Sequence, residues 1–290
     1  MIIGKDGGIA TINLNGEIES FKINGEELVW NGDPEFWTGH APTLFPNCGR
    51  VKNNRFTFGG KELAGQGIHG FVRRMEHTLV EASELHAVYR VTSTAETKKL
   101  YPYDFTLETL YAVSDVGYAV RFTVYNDGVT PMPFCIGSHP AYMLPGGLSE
   151  CDLVIEGADG VEYCACNSSG LIEDGLTLGI VENGVLPLSF DLFEKNGVVF
   201  PSLGYGDKAF SVINRNTGKG FKVIFKDFPA CVLWTPKADC PFFCVEPWCG
   251  LPDREDTDGS FEGKAHVKTL YMDEAMTFEY AFVAIKGNNA

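Results

Sequence analysis

The chain has 290 residues, 44% of them hydrophobic and 21% charged, which suits a folded globular body with a sizeable core and leaves no tract polar enough for disorder. Its 23 basic and 38 acidic residues give a formal charge of −15, which repels phosphate backbones and anionic lipid headgroups, so nucleic acid and membrane surfaces are poor partners. The first residues turn polar before a signal-peptide apolar core can form, no stretch reaches the ~20 apolar residues that span a bilayer, and nine scattered cysteines suit a reducing compartment; we expect a cytoplasmic protein with free thiols.

Asn-Gly or Asp-Gly dipeptides stand at Asp6, Asn15, Asn24, Asn31, Asp127, Asp159, Asp174, Asn183, Asn196 and Asp258. Such pairs tolerate the positive φ of tight turns and predict antiparallel hairpins. Along the first third, Arg50 in Pro46-Asn47-Cys48-Gly49-Arg50 offers a planar fork of donors suited to hydroxyl or carboxylate recognition, or is simply a surface arginine. Gly65-Gln66-Gly67-Ile68-His69-Gly70 matches a dinucleotide-binding pattern by letter, but the neighbourhood is β-rich and no helix is expected to follow, so a nucleotide role is rejected. His69 among these glycines lies where a loop backbone can approach a ligand closely, or makes one structural hydrogen bond.

Period-two runs follow. Phe105, Leu107, Thr109, Tyr111 and Val113 share one strand face, and Tyr118, Val120, Phe122 and Val124 share the next across the turn Ser114-Asp115-Val116-Gly117. Phe134-Cys135-Ile136-Gly137 reads as a strand end before Ser138-His139-Pro140, where proline stops the ladder. Phe221, Val223 and Phe225, then Phe278, Tyr280 and Phe282, continue the alternation, and no apolar stripe at helical spacing lasts beyond about two turns. Helices should be few and short. With no linker, repeat or shift in composition, the reading is all-β: one large antiparallel β-sandwich over residues 1–290.

Glu246 falls on the face of Phe242 and Cys244, with Pro247 expected to end pairing beyond it. A carboxylate on an apolar face needs partners or a raised pKa, so Glu246 is either a functional group or a rim position open to water. Trp234, at the end of Cys231-Val232-Leu233-Trp234, is a candidate platform for the C–H face of a sugar ring, although most tryptophans fill cores. Cys240, Cys244, Cys249 and His266 lack the paired spacing of a zinc site, and no metal is expected.

Taken in order, Pro46-Asn47-Cys48-Gly49-Arg50, His69-Gly70-Phe71-Val72-Arg73, His139-Pro140-Ala141-Tyr142, Phe228-Pro229 followed by Trp234, and Glu246-Pro247-Trp248 resemble the aldose 1-epimerase (galactose mutarotase) family, most of all its LacX-like branch. The resemblance covers about residues 10 to 285. It implies the galactose mutarotase-like supersandwich with a cofactor-free sugar site, in which Glu246 takes the proton from the anomeric hydroxyl and His139 protonates the ring oxygen. It also implies that His69 and Arg50 bind hydroxyls and steady charge on that oxygen. Where the family tends to carry an aspartate that holds sugar hydroxyls, the best local match is Asn196, with Asp191 a poorer fit to the register.

The function this implies is interconversion of the α and β anomers of a free hexose by acid–base ring opening and reclosure. The alternatives are a hexose-6-phosphate 1-epimerase, for which Arg73-Arg74 would hold the phosphate, and a non-catalytic carbohydrate-binding or regulatory domain. A glycoside hydrolase would need a second carboxylate, and only Glu246 can be nominated. A small sugar is the expected partner; the sequence is silent on oligomeric state.

Overall fold

Along Phe105–Val113 every second side chain is buried and its neighbours are half-exposed, and Gly117–Asn126 pairs with it in antiparallel register from Phe105 opposite Asn126 to Val113 opposite Tyr118. Alternation puts one row of side chains on each face, so the apolar row must find a second layer to cover it. A computed structural model describes residues 1–5, 7–157 and 160–287 of the chain, without the side chains of 174–176. In it the covering layer is another sheet.

One sheet has nine strands, in the order Val185–Pro187, Cys151–Glu156, Lys208–Asn214, Gly220–Phe225, Ala275–Ile285, Gly117–Asn126, Phe105–Val113, His86–Thr92 and Thr78–Ala82. The other has eight. Its path runs Ile172–Val181, Val161–Cys166, Val198–Phe200, Ala230–Trp234, Phe242–Cys249, Ile136–Ser138 and Thr43–Leu44, and Ala141–Met143 also pairs with Phe242–Cys249. Pairing within both is antiparallel. Their inner faces meet through Phe200 and Phe210 (ring centroids 5.3 Å apart), Tyr142 and Phe282 (5.0 Å), and the hydroxyls of Ser138 and Tyr280 (3.1 Å). Burying each such aromatic contributes about 1.5–3 kcal/mol, which makes this interior the main source of stability. A four-stranded sheet at the N-terminus, Ile2–Lys5 to Glu26–Glu27, caps one end by setting Phe21 against Tyr118 at 5.2 Å. The fold is the all-β sandwich expected, and among the described residues the α-helical content is one turn, Thr97–Leu100.

Two expectations need correction. The Asn-Gly and Asp-Gly pairs are not all hairpins. Asn24-Gly25, with φ of 51° and 86°, joins Ile18–Ile23 to Glu26–Glu27, whereas Asn183-Gly184, with φ of 57° and 69°, carries the chain from one large sheet to the other. Positive φ reverses the chain but does not choose its partner. Asp6 and Asp159, and the side chain of Asp174, lie outside the described residues.

Pro247 does not end its strand, which runs on to Cys249 with Pro247 opposite Cys231. On the other edge Ile136–Ser138 and Ala141–Met143 pair with this strand in a single register, interrupted at Ser138, His139 and Pro140. Continued through the gap, that register sets Ser138 opposite Pro247 and His139 opposite Glu246. The Ser138 carbonyl accepts the Trp248 indole N–H at 3.2 Å, replacing the backbone donor that proline lacks. The strand can therefore continue through a proline.

Candidate active site

Phe242–Cys249 is buried on both faces. Phe243 and Val245 enter the core between the sheets; Glu246 and Trp248 point the other way, joined by Val232 and Trp234 from the neighbouring strand, and line a cavity of about 280 Å³. Arg50, His69, His139, Asn196, Trp234 and Glu246, nominated from segments scattered over the chain, all line it. So do Trp37, one of four tryptophans that could serve as a sugar platform, Arg73, considered for a phosphate, and Cys166, Gly170, Val199 and Val232, which were not nominated. Asp191 is exposed and does not line it, so Asn196 is the residue that reaches the cavity from that segment.

Glu246 is 1% exposed and neither carboxylate oxygen has a hydrogen-bond partner among the described residues. His139 Nε2 lies 3.4 Å from Glu246 Oε2. Burial pushes the Glu246 carboxyl well above the usual carboxylate range, against a weaker pull from the nearby Trp248 indole N–H. Burial also drives the His139 imidazolium down to about 3. Both groups therefore favour their neutral forms, and the pair shares one transferable proton. Neutral acid with neutral imidazole, or carboxylate with imidazolium, contain the same number of protons, and the two forms interconvert by transfer across the contact.

His69 is fixed differently. Its backbone N–H donates to Gly49 O at 3.0 Å, and its ring Nδ1 accepts the Gly49 N–H at 3.1 Å. An accepting Nδ1 puts the proton on Nε2, so neutral His69 can donate from that nitrogen. Burial, then the adjacent His139, lowers its pKa well below the ordinary value and keeps it neutral. The residue adopts φ of 65°, and Gly70 beyond it has φ of 72° with a would-be Cβ 2.1 Å from Phe45 O, so only glycine fits there. The loop is followed by the 3₁₀ turn Val72–Arg74, not by the helix a dinucleotide site needs.

That turn separates the two arginines considered for phosphate. Arg74 Nη2 donates to Gln66 O at 2.7 Å and Gly70 O at 3.1 Å, bracing the His69 loop, while Arg73 lines the cavity. They do not converge. Arg50 lies across Gly170, whose would-be Cβ is 2.9 Å from Arg50 Cδ, and the Arg50 carbonyl accepts Asp253 N–H at 2.9 Å. Asp253 is in turn paired with Lys264 in the interior.

The cysteine set considered for metal is not assembled: Cys244 and Cys249 face opposite sides of one strand, and Cys249 Sγ donates to His266 O at 3.3 Å. His139, Cys244 and Glu246 do present ligand atoms within 4.8 Å of one another. Burial raises the Cys244 thiol well above its ordinary value, which disfavours the thiolate a zinc-type site requires. All nine cysteines are free thiols. Among the described residues no helix is long and apolar enough to cross a membrane.

Residues 4–258 match the family model described as aldose 1-epimerase. The chain belongs to the aldose 1-epimerase family. The plasmid-encoded LacX protein of Lactococcus lactis subsp. lactis is 33% identical over 274 residues, covering 90% of this chain and 91% of that one. A galactose mutarotase related enzyme from Lactobacillus acidophilus superposes with a TM-score of 0.89 at 25% identity, covering 100% of this chain and 98% of its own. A galactose mutarotase-like protein from Lactobacillus casei ATCC 334 gives 0.87 at 26%, covering 98% and 99%. In this epimerase-family chain Glu246 is the sole carboxylate among the described cavity-lining residues. A hydrolytic pair of carboxylates is not assembled there.

Trp37 carries no period-two signal because it sits in the irregular segment between Trp30 and Thr43, so sequence reasoning could count it among four candidate tryptophans but preferred Trp234. Val232 was legible in hindsight: it shares the strand face of Trp234.

Proposed function

We propose that the protein is an aldose 1-epimerase acting on a free hexose, with Glu246 and His139 as the proton-transfer pair. The observation that carries this is the 3.4 Å contact between His139 Nε2 and a buried Glu246 that has no other polar partner among the described residues, at the wall of a sugar-sized cavity. Opening a hemiacetal requires a base for the C1 hydroxyl proton and an acid for the ring oxygen; rotation about C1–C2 and reclosure with the transfers reversed gives the other anomer. A pair holding one proton supplies both functions and is restored after each cycle. Glu246 as carboxylate accepts the hydroxyl proton, and His139 as imidazolium donates to the ring oxygen. His69 Nε2–H and the Arg50 guanidinium offer hydrogen bonds to the sugar oxygens, and Trp234 an apolar face. Asn196 offers an amide where a charged acceptor is the family's habit, which bears on sugar preference more than on the reaction.

One observation favours a second reading. Arg50 and Arg73 line the cavity with no side-chain hydrogen-bond or ion-pair partner among the described residues, an arrangement that suits a hexose 6-phosphate. The net charge of −15 opposes an anionic substrate at long range.

Polarimetry of freshly dissolved α-D-glucose, α-D-galactose and α-D-glucose 6-phosphate, with and without protein and with Glu246→Gln as control, tests both. Faster mutarotation of a free sugar, lost in the variant, supports the first reading. Acceleration confined to the phosphosugar, and weakened by Arg73→Ala, replaces it with the second. Sugar binding without acceleration makes the protein a carbohydrate-binding domain.

A further inference from the structure

The His139 ring lacks the usual means of orientation. A working histidine is commonly aimed by a carbonyl or carboxylate at its second ring nitrogen. Here Nδ1 is buried and finds no hydrogen-bond partner among the described residues beyond the residue's own backbone. The ring is held by aromatic packing instead. Trp37 stacks on it with centroids 4.9 Å apart and planes 30° apart, while His69 and Trp234 meet it edge-on at 5.3 Å and 5.5 Å.

Trp37 is itself aimed by its own loop. Its carbonyl accepts the Trp30 indole N–H at 2.7 Å. Its ring lies against Gly39, where a Cβ would stand 2.4 Å from Trp37 Cζ2, so the indole can lie as it does only because residue 39 has no side chain. The ring also touches Trp234 edge-on at 5.6 Å, which closes an aromatic bracket around the imidazole.

We propose that Trp37 is the positioning residue for His139: its indole face, and not a hydrogen bond, sets the imidazole plane that directs Nε2 at Glu246 and the cavity. This rests on the assignment of His139 to proton transfer made above. The stacked indole acts on the proton in two opposing ways. Its negative face favours an imidazolium, and its bulk keeps water from the ring, which disfavours one. Burial as a whole lowers the His139 imidazolium, and the indole is part of what buries it. The charged and titratable groups facing His139 are Glu246 and Cys244 from Phe242–Cys249, His69 from its loop and Arg73 from the 3₁₀ turn.

The test uses the full chain with Trp37→Leu, Trp37→Phe and Gly39→Ala, the last chosen to push the indole aside without changing it. Trp37 is only half-buried, so its replacement leaves the interior between the sheets intact. Two readouts are taken: the His139 imidazole resonances in the sugar-free protein, assigned with His139→Asn, and kcat and KM for mutarotation. In Trp37→Leu and Gly39→Ala the His139 resonances should move and titrate closer to the ordinary value near 6.5. The kcat should fall about tenfold to a hundredfold, more than KM changes, as expected for a mis-aimed proton donor. Trp37→Phe should recover most of both. Unchanged His139 resonances and titration in Trp37→Leu, or a phenylalanine variant as impaired as the leucine one, would overturn the proposal and leave Trp37 as cavity wall. If the wild-type protein accelerates no sugar, the functional reading fails, while the resonance measurements still decide whether Trp37 orients His139.

Discussion

His139 stands in a three-residue break of the strand ladder, at the position its register sets opposite Glu246, with Nε2 3.4 Å from Oε2. The break frees the imidazole from a pleated position while the shared register on both sides keeps it opposite the carboxylate. A sheet thus holds two groups from residues more than a hundred positions apart with the rigidity a proton-transfer pair needs.

Loss of either partner should remove most of the activity, and loss of both should cost little more. Glu246→Gln and His139→Asn are each expected to lower kcat for the preferred sugar by about 10²–10⁴-fold, with the double variant close to the worse single one, because the two act as a unit. Polarimetric kcat values for the three proteins check this; multiplicative losses would argue against a coupled pair. Glu246→Gln should melt no earlier than wild type, since it removes a buried ionisable group and keeps a side chain of the same shape opposite His139.

The pH dependence of kcat/KM should not show an ordinary histidine. Burial holds His139 down to about 3 and raises Glu246 well above the usual carboxylate range. The limbs of the profile should therefore belong to the pair, and both should move in Glu246→Gln as well as in His139→Asn. A limb centred near about 6.5 that survives unchanged in Glu246→Gln and is lost in His139→Asn would contradict that arrangement.

The buried histidines should cost stability as pH falls below about 6.5. His69, His77 and His139 are buried with lowered pKa values, His77 at about 4 and His139 at about 3. Between about pH 6.5 and those values the unfolded chain binds more protons than the folded one, so stability rises with pH there. It is fully present above the unfolded value and is lost as pH falls toward the folded ones. Each histidine should cost about 1 kcal/mol of stability at pH 5.5 relative to pH 7.5. Glu246, with a raised folded pKa, works in the opposite sense: its contribution is present below the ordinary carboxylate value and is lost as pH rises through the folded one. Urea midpoints at the two pH values check the loss, and His77→Gln, remote from the cavity, should shrink it by one histidine's share.

Two glycines should separate backbone strain from steric clash. Gly25 and Gly70 both have positive φ, at 86° and 72°, yet a Cβ at Gly25 meets nothing within 4 Å while one at Gly70 falls 2.1 Å from Phe45 O. Gly25→Ala should cost about 1–2 kcal/mol, the usual penalty for a left-handed alanine. Gly70→Ala should cost clearly more and also lower activity, because Phe45 and the His69 loop must part. Equal melting temperatures for the two variants would show that the His69 loop yields freely.

Alternation along Phe105–Val113 and Gly117–Asn126 was enough to read a hairpin, because period two and a short turn are local properties of the chain. The short motifs around Arg50, His69, His139 and Glu246 were likewise legible, as a proton-handling or hydrogen-bonding side chain beside a glycine or proline that limits the backbone. Asn196 came from a family match alone, and Asp191, a near rival in sequence, stays outside the cavity.

Tertiary structure decided what no local pattern encodes. Which strands neighbour each other across the two large sheets sets His139 against Glu246, and that register depends on Ile136–Ser138 and Ala141–Met143 pairing with a strand a hundred residues away. Pro247 was read as a strand end because proline lacks an N–H; the strand continues because Trp248 supplies the missing donor to Ser138. Adjacent arginines looked alike in sequence, yet the 3₁₀ turn sends Arg73 to the cavity and Arg74 to the loop carbonyls. Trp37, in a loop without periodicity, acquires its contact with His139 only through packing. Local sequence determines which residues can alternate, turn or carry a proton, because those depend on neighbours a few bonds away. Which of them meet is settled by long-range register and burial, where the free energy of covering apolar faces selects one arrangement of the whole chain.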